Sequence, residues 1–241
     1  MIPARKNRLF RAWFAGHART RIERSFGCVR VDGIEHARTA LDAGPVLLVS
    51  NHTSWWDPLV VLFLTEHVLR CDGHALMDAT NLRRLPFFAL VGAFGVDRSS
   101  AADGAAAIRY ATRLLDAPRR MVWVFAQGRE RPVTERPLDF HGGSAVMAKV
   151  AGCATVPAGL RYEHRGEALP ELILCFGAPL PPPRTSAEGR RAQESAVVAC
   201  LDRIEVALCD GSVDAWPELH RSRHGIIEAW SERALAWLTR A

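Results

Sequence analysis

His52 and Asp57, within "NHTSWWD" at residues 51–57, are the two side chains here whose types and spacing allow proton chemistry. A carboxylate within hydrogen-bond reach of an imidazole fixes its tautomer and stabilises its charged form. The other ring nitrogen is then free to take a proton from a hydroxyl, a role that contributes about 10²–10⁴-fold to a rate. The same stretch also reads as a helix start, with Ser54 as N-cap, Asp57 at N3 of an imperfect capping box and Pro58 in the first turn. On that reading His52 is a loop residue, and the Asn51-His52 pair at the end of an apolar run has no purpose.

The elements that position this pair follow from the hydrophobic pattern. Pro45–Ser50 reads as a buried strand, and ligands of open α/β sheets bind beyond the carboxyl ends of strands. Met121–Ala126, Thr155–Leu160 and Leu172–Phe176 read as further strands, and Leu59–Leu69, Ala101–Leu115 and Ser144–Ala151 as helices. The alternation predicts an α/β fold, a mixed, largely parallel central sheet flanked by helices. Pro179 and the run Pro181–Pro183 are expected to end the sheet region, and Ala187–Cys209 and Trp216–Ala241 to be helical. Residues 5–26 are rich in arginine and carry Leu9, Phe10, Trp13, Phe14, Ile22 and Phe26. Such an amphipathic helix lies on an anionic lipid surface, packs its aromatic face on the protein, or does both. The expected organisation is a basic N-terminal helical segment (1–28), an α/β domain (29–180) and a C-terminal helical extension on the same domain (181–241).

The 241 residues, 49% of them hydrophobic, suffice for one core that buries roughly 70–75% of the unfolded surface. The net charge is +5. Only Lys6 and Lys149 are lysines, so the basic side is nearly all arginine. Mild positive charge suits anionic lipid, phosphorylated substrates or nucleic acid. No nucleic-acid module is recognisable and the basic residues are spread rather than striped, so nucleic acid is not an expected partner. The six cysteines lack CxxC or zinc-like spacing, which predicts reduced thiols and no metal site. There is no signal-peptide h-region. No run of ~18 apolar residues spans a bilayer, and "LPFFALVGAFGV" at 85–96 is broken by glycines. A cytoplasmic protein, peripheral on the inner face of the cell membrane, is expected. Ser144 in "HGGSAV" lacks the second glycine of a nucleophile elbow, and "GVDRSSAADGAAA" contains no phosphate-loop pattern. His74, His141 and His164 have no partner spacing and read as loop or surface residues.

"NHTSWWD" resembles the NHxxxxD motif of the glycerolipid acyltransferases, which include the 1-acylglycerol-3-phosphate acyltransferases. Further blocks arrive in order. "GAFGVDR" (92–98) is similar to the family's second block, "VFAQGRERP" (124–132) to its third, usually FPEGTRS, and "FHGGSAVMAKVAGCATVPAGL" (140–160) to its last. The resemblance implies that His52 deprotonates an acceptor hydroxyl while Asp57 orients it. It implies that Asn51, Arg98, Gln127, Gly128, Arg129 and Arg131 serve substrate, Arg98 on an acceptor phosphate. The implied partners are an acyl thioester donor (acyl-CoA or acyl carrier protein), a lipid acceptor and a membrane surface. No cofactor, metal or covalent acyl-enzyme is implied. The third block departs from the pattern: proline becomes Ala126, glutamate Gln127 and arginine Glu130, with Arg129 and Arg131 as the flanking cations. The change falls in the acceptor block and leaves the catalytic block intact, so a non-phosphate acceptor such as a glycolipid is the alternative within the same chemistry. A non-catalytic lipid-binding protein of this fold would have no reason to keep both His52 and Asp57.

Overall fold

In the computed structural model, which describes residues 1–222, the apolar runs form the middle of an eight-stranded sheet. In chain order the elements are α1 (Arg8–Ser25), β1 (Cys28–Asp32), α2 (Ile34–Ala43), β2 (Val46–Ser50) and α3 (Asp57–Phe63), which continues as a π-helical turn over Leu64–Val68. There follow β3 (Asp72–Asp78), α4 (Ala79–Arg84), α5 (Phe87–Leu90), β4 (Ala93–Val96), α6 (Ala101–Leu114) and β5 (Arg120–Phe125). The chain then forms α7 (Gly143–Ala151), β6 (Ala154–Glu163), β7 (Glu171–Phe176), α8 (Ser186–Asp210), a 3₁₀ turn at Ser212–Ala215 and β8 (Glu218–Arg221). The sheet order is β4-β3-β5-β2-β6-β7-β1-β8. All pairings are parallel except β6–β7 and β1–β8.

The central strands are continuous apolar runs because helices cover both sheet faces. On β2, Val46 and Leu48 join the core beneath α1, α2 and α3, while Leu47 and Val49 face the core beneath α6, α7 and α8. Met121 and Trp123 alternate with Val122 and Val124 in the same way on β5. β1, β3, β4 and β8 carry weaker patterns. Arg30 of β1 is buried in ion pairs with Glu171 (2.9 Å), Asp214 (3.2 Å) and Glu218 (3.3 Å). β3 opens on Asp72 and His74; Asp72 pairs with Lys6 and, at 2.9 Å, with Arg120.

Three expectations need correction. The sheet does not end at the proline run, because β8 pairs with β1 beyond it. The stretch expected to be helical from Trp216 therefore begins as a strand; the remainder, from residue 223, lies outside the described residues. His74 is buried on β3 rather than on a loop. The side chains of the N-terminal segment fall into two groups. Phe14, Ile22 and Phe26 pack into the protein, while Leu9 and Trp13 stand 83% and 64% exposed.

β2 lies between β5 and β6, and the parallel strands bring the ends of β2, β4 and β5 to one edge. His52, Arg98 and Gln127 follow those three strands.

Candidate active site

Residues 51–56 leave β2 and turn into α3, whose first residue is Asp57. The Asp57 side chain is fully buried and its carboxylate collects four donors. Oδ2 lies 2.6 Å from His52 Nδ1 and accepts from the backbone N–H of Thr53 (2.9 Å) and Ser54 (3.2 Å). Oδ1 accepts from the Tyr162 hydroxyl at 2.5 Å. The two peptide N–H groups are donors only, so Oδ2 is an acceptor and His52 Nδ1 must carry the proton. Nε2 is then the lone-pair nitrogen, and among the described residues it has no partner. The imidazole ring stacks on Phe125, centroids 4.5 Å apart and planes at 23°. Burial first, and the Asp57 charge second, push the Tyr162 phenol well above its ordinary range, so it remains a neutral O–H donor. The expected helix start needs correction, since the residue capping α3 is Trp56 rather than Ser54 and Asp57 is the first helical residue rather than the third; the same carboxylate still closes the turn on Ser54 N–H and holds His52.

Gln127, 3% exposed, belongs to this cluster. Its Oε1 accepts the His52 backbone N–H at 2.7 Å, which fixes the chain end that carries the imidazole. Gly128 adopts φ +69°, and a Cβ there would collide with Arg98 Nη1 and press on the His141 ring. The glycine is thus required both for its left-handed backbone and for the close approach of the guanidinium. Arg98 is 47% exposed, with Nε 3.8 Å from Asp78.

Asn51 and Arg131 have other uses than the substrate contacts expected of them. The Asn51 amide donates to Leu160 O and accepts from Leu160 N, both at 2.8 Å, in a buried clamp that extends the β2–β6 pairing. Arg131 Nη1 bonds Glu135 (3.2 Å) and Asp139 (3.1 Å) and holds its own loop. Arg129 is exposed and has no hydrogen-bond or ion-pair partner among the described residues. Of the paired tryptophans, Trp56 packs on Phe26 (5.1 Å), whereas Trp55 lies outside it, 57% exposed. Ser144 is buried against Gln193.

Sequence reading did not find Tyr162, Phe125 or His141 as site residues. Tyr162 lies 105 positions from Asp57 at the far end of a strand, so no spacing rule connects them. Phe125 read as an apolar strand residue and as the phenylalanine expected in the third block, without a role in the site. His141 read as an isolated loop histidine, and only the fold brings it over Gly128.

Residues 28–161 match the sequence profile of the Acyltransferase family. A 1-acyl-sn-glycerol-3-phosphate acyltransferase of Streptococcus pneumoniae is 29% identical over 111 residues, which cover 46% of this chain and 39% of that protein. The fold is similar to the crystal structure of the 1-acyl-sn-glycerophosphate (LPA) acyltransferase PlsC from Thermotoga maritima. The TM-score is 0.58 at 18% identity, covering 80% of this chain and 81% of that one. The profile match takes in β1 through most of β6, including the His52–Asp57 turn, Arg98, Gln127 and the Asn51 clamp on Leu160: the chain belongs to the Acyltransferase family.

Proposed function

We propose that the protein moves a fatty acyl group from acyl-CoA or acyl carrier protein to a lipid hydroxyl at a membrane surface, with His52 as general base. The observation that carries this reading is the fixed tautomer of His52, with Nδ1–H on a buried carboxylate and Nε2 without a partner among the described residues. Nε2 removes the acceptor's hydroxyl proton, the oxygen attacks the thioester carbonyl, and the C–S bond breaks. The departing thiolate takes the proton from His52. Asp57 supports the imidazolium in between. No serine or cysteine nucleophile is needed, and five of the six cysteines are buried.

A lysophospholipid or glycerol-phosphate type of acceptor is the best supported. Arg98 offers a guanidinium suited to bidentate phosphate contact, and among the described residues its one ion-pair partner is Asp78, at 3.8 Å. Arg98→Ala is expected to raise the KM for lysophosphatidic acid about tenfold or more, with a smaller effect on acyl-CoA, in assays that follow labelled acyl-CoA into lipid product. An unchanged KM would favour the alternative acceptor, a neutral lipid alcohol.

Membrane contact rests on α1. Leu9 and Trp13, four residues apart, project from one side of the helix, with exposed Arg5, Arg8 and Arg24 on or just before it. Apolar side chains in the acyl boundary and arginines on anionic headgroups suit an interfacial helix. No helix among the described residues is long and apolar enough to cross a membrane. Combined Leu9→Ser and Trp13→Ser replacement should weaken cosedimentation with anionic vesicles about tenfold or more, with turnover of a soluble short-chain pair unchanged. Equal loss of both would place these side chains in the catalytic fold. Truncating the whole segment is no substitute, because Ile22 and Phe26 belong to the core.

A further inference from the structure

Beyond Ser50, where β2 ends opposite Ala158, β6 runs on to Glu163. Asn51 holds Leu160 of this extension, and Tyr162, two residues further, pairs with Leu172 of β7. Alternation along the strand puts Ala158, Leu160 and Tyr162 on the sheet face covered by α1, α2 and α3. There the phenol ring packs on buried Phe26, centroids 5.6 Å apart, and Phe26 also holds Trp56. Backbone and ring are thus both fixed, and the hydroxyl meets Asp57 Oδ1 at 2.5 Å.

The two carboxylate oxygens of Asp57 are used differently. Oδ2 takes His52 Nδ1–H and the N–H groups of Thr53 and Ser54, so it alone closes the turn and fixes the tautomer. Among the described residues Oδ1 has one donor, the Tyr162 hydroxyl. A short O–H···O⁻ bond is charge-assisted and strong, and it draws negative charge to the oxygen that does not touch the imidazole. Tyr162 lies just beyond the residues 28–161 that match the family profile. Other charges nearby leave the carboxylate untouched. Glu130, on the loop after β5, adds its charge to the phenol's surroundings, and Arg131 of that loop is bound to Glu135 and Asp139. Arg21 of α1 stands over Trp56 at 5.5 Å, Arg98 and His141 meet at Gly128, and Arg161 of β6 binds Glu163 and Glu205.

We infer that Tyr162 is a positioning residue that tempers the charge of Asp57 and thereby sets the pH at which His52 becomes a free base. The inference rests on the general-base reading of His52. A buried carboxylate with peptide donors only would hold the imidazolium strongly and keep Nε2 protonated to higher pH. Sharing that charge with the phenol weakens the hold, so the base is released at lower pH while Oδ2 keeps the tautomer. Loss of the phenol has the same sign if the carboxylate itself takes up a proton, because either proton disables the pair until the pH is higher. The phenol does not switch off in turn, since burial and the Asp57 charge push it well above its ordinary range.

The full chain tests this by two readouts: the pH profile of kcat/KM with acyl-CoA and lysophosphatidic acid, and the titration of the His52 ring followed by NMR, its signal assigned with His52→Ala. In Tyr162→Phe the acid limb and the His52 midpoint are both expected to rise by about one pH unit. Titration of the acceptor phosphate is common to both enzymes and cancels in the comparison. On the plateau kcat falls by about threefold to tenfold, well short of the loss of the base, and both KM values stay within about twofold. 3-Fluorotyrosine at position 162, a stronger donor of nearly the same size, is expected to move limb and midpoint downward. It decides the matter if thermal unfolding shows that the phenylalanine variant does not fold. A folded Tyr162→Phe whose limb and midpoint stay within about 0.2 pH unit of wild type, or in its place a fluorotyrosine protein without the downward shift, overturns the role and leaves Tyr162 as a packing residue. The general base fails separately: His52→Ala with turnover above about a tenth of wild type refutes it, while the NMR midpoint still measures what the phenol does to the pair.

Discussion

His52→Ala is expected to lower acyl transfer by about 10²–10⁴-fold while leaving the fold in place. The side chain is partly exposed and contributes one ring stack, on Phe125, and one hydrogen bond, to Asp57. Its removal leaves the Asp57 carboxylate with Thr53, Ser54 and Tyr162 as donors, so no buried charge loses all its partners. A shift of about 2–4 °C in unfolding temperature is the scale of one such lost interaction in a domain of this size. Labelled acyl-CoA turnover and a thermal scan on the same preparation measure both quantities. Turnover above about a tenth of wild type would contradict the base assignment.

Asp57 should show the opposite division between activity and stability, depending on what replaces it. Asparagine keeps an acceptor oxygen toward Thr53, Ser54 and His52, and its amide group can donate to Tyr162 Oη once that hydroxyl turns. Asp57→Asn is therefore expected to fold yet to lose activity by about 10–100-fold, less than removal of the base, because a neutral side chain supports the imidazolium poorly. Alanine removes the acceptor altogether. The two peptide N–H groups and the Tyr162 hydroxyl then lack a partner at a fully buried position, and each unsatisfied group costs about 1–3 kcal/mol. Against a total stability of about 5–15 kcal/mol, Asp57→Ala is expected to be largely unfolded or insoluble. If the two variants melt together, the carboxylate is not holding the turn.

The sequence made the middle of this fold legible because its strands are buried on both faces, so β2, β5, β6 and β7 are unbroken apolar runs. β1 and β3 were hidden for a physical reason. Arg30 sits inside the sheet layer and is neutralised by Glu171, Asp214 and Glu218, whereas Asp72, 3.6 Å from His74 on its own strand, ties β3 to Lys6 and Arg120. Charges satisfied by distant partners look like surface when read locally. The His52–Asp57 pair was legible because it lies within one turn of chain. Asn51 was misread because its partner, Leu160, is 109 residues away, and a side chain committed to another strand's backbone resembles, in sequence, one waiting for a ligand.

Tyr162 gives the site an order of assembly. A nascent chain that has reached residue 57 already holds both members of the dyad, but the hydroxyl on Asp57 Oδ1 and the strand that Asn51 clamps arrive only with β6. Contacts so distant in sequence form late, because loop closure precedes the contact that rewards it. A partly synthesised or proteolysed chain ending before residue 160 thus has a histidine and an aspartate, but neither the Tyr162 bond nor the clamp. The last contacts to support the His52–Asp57 pair are thus made by the strand that completes the middle of the sheet.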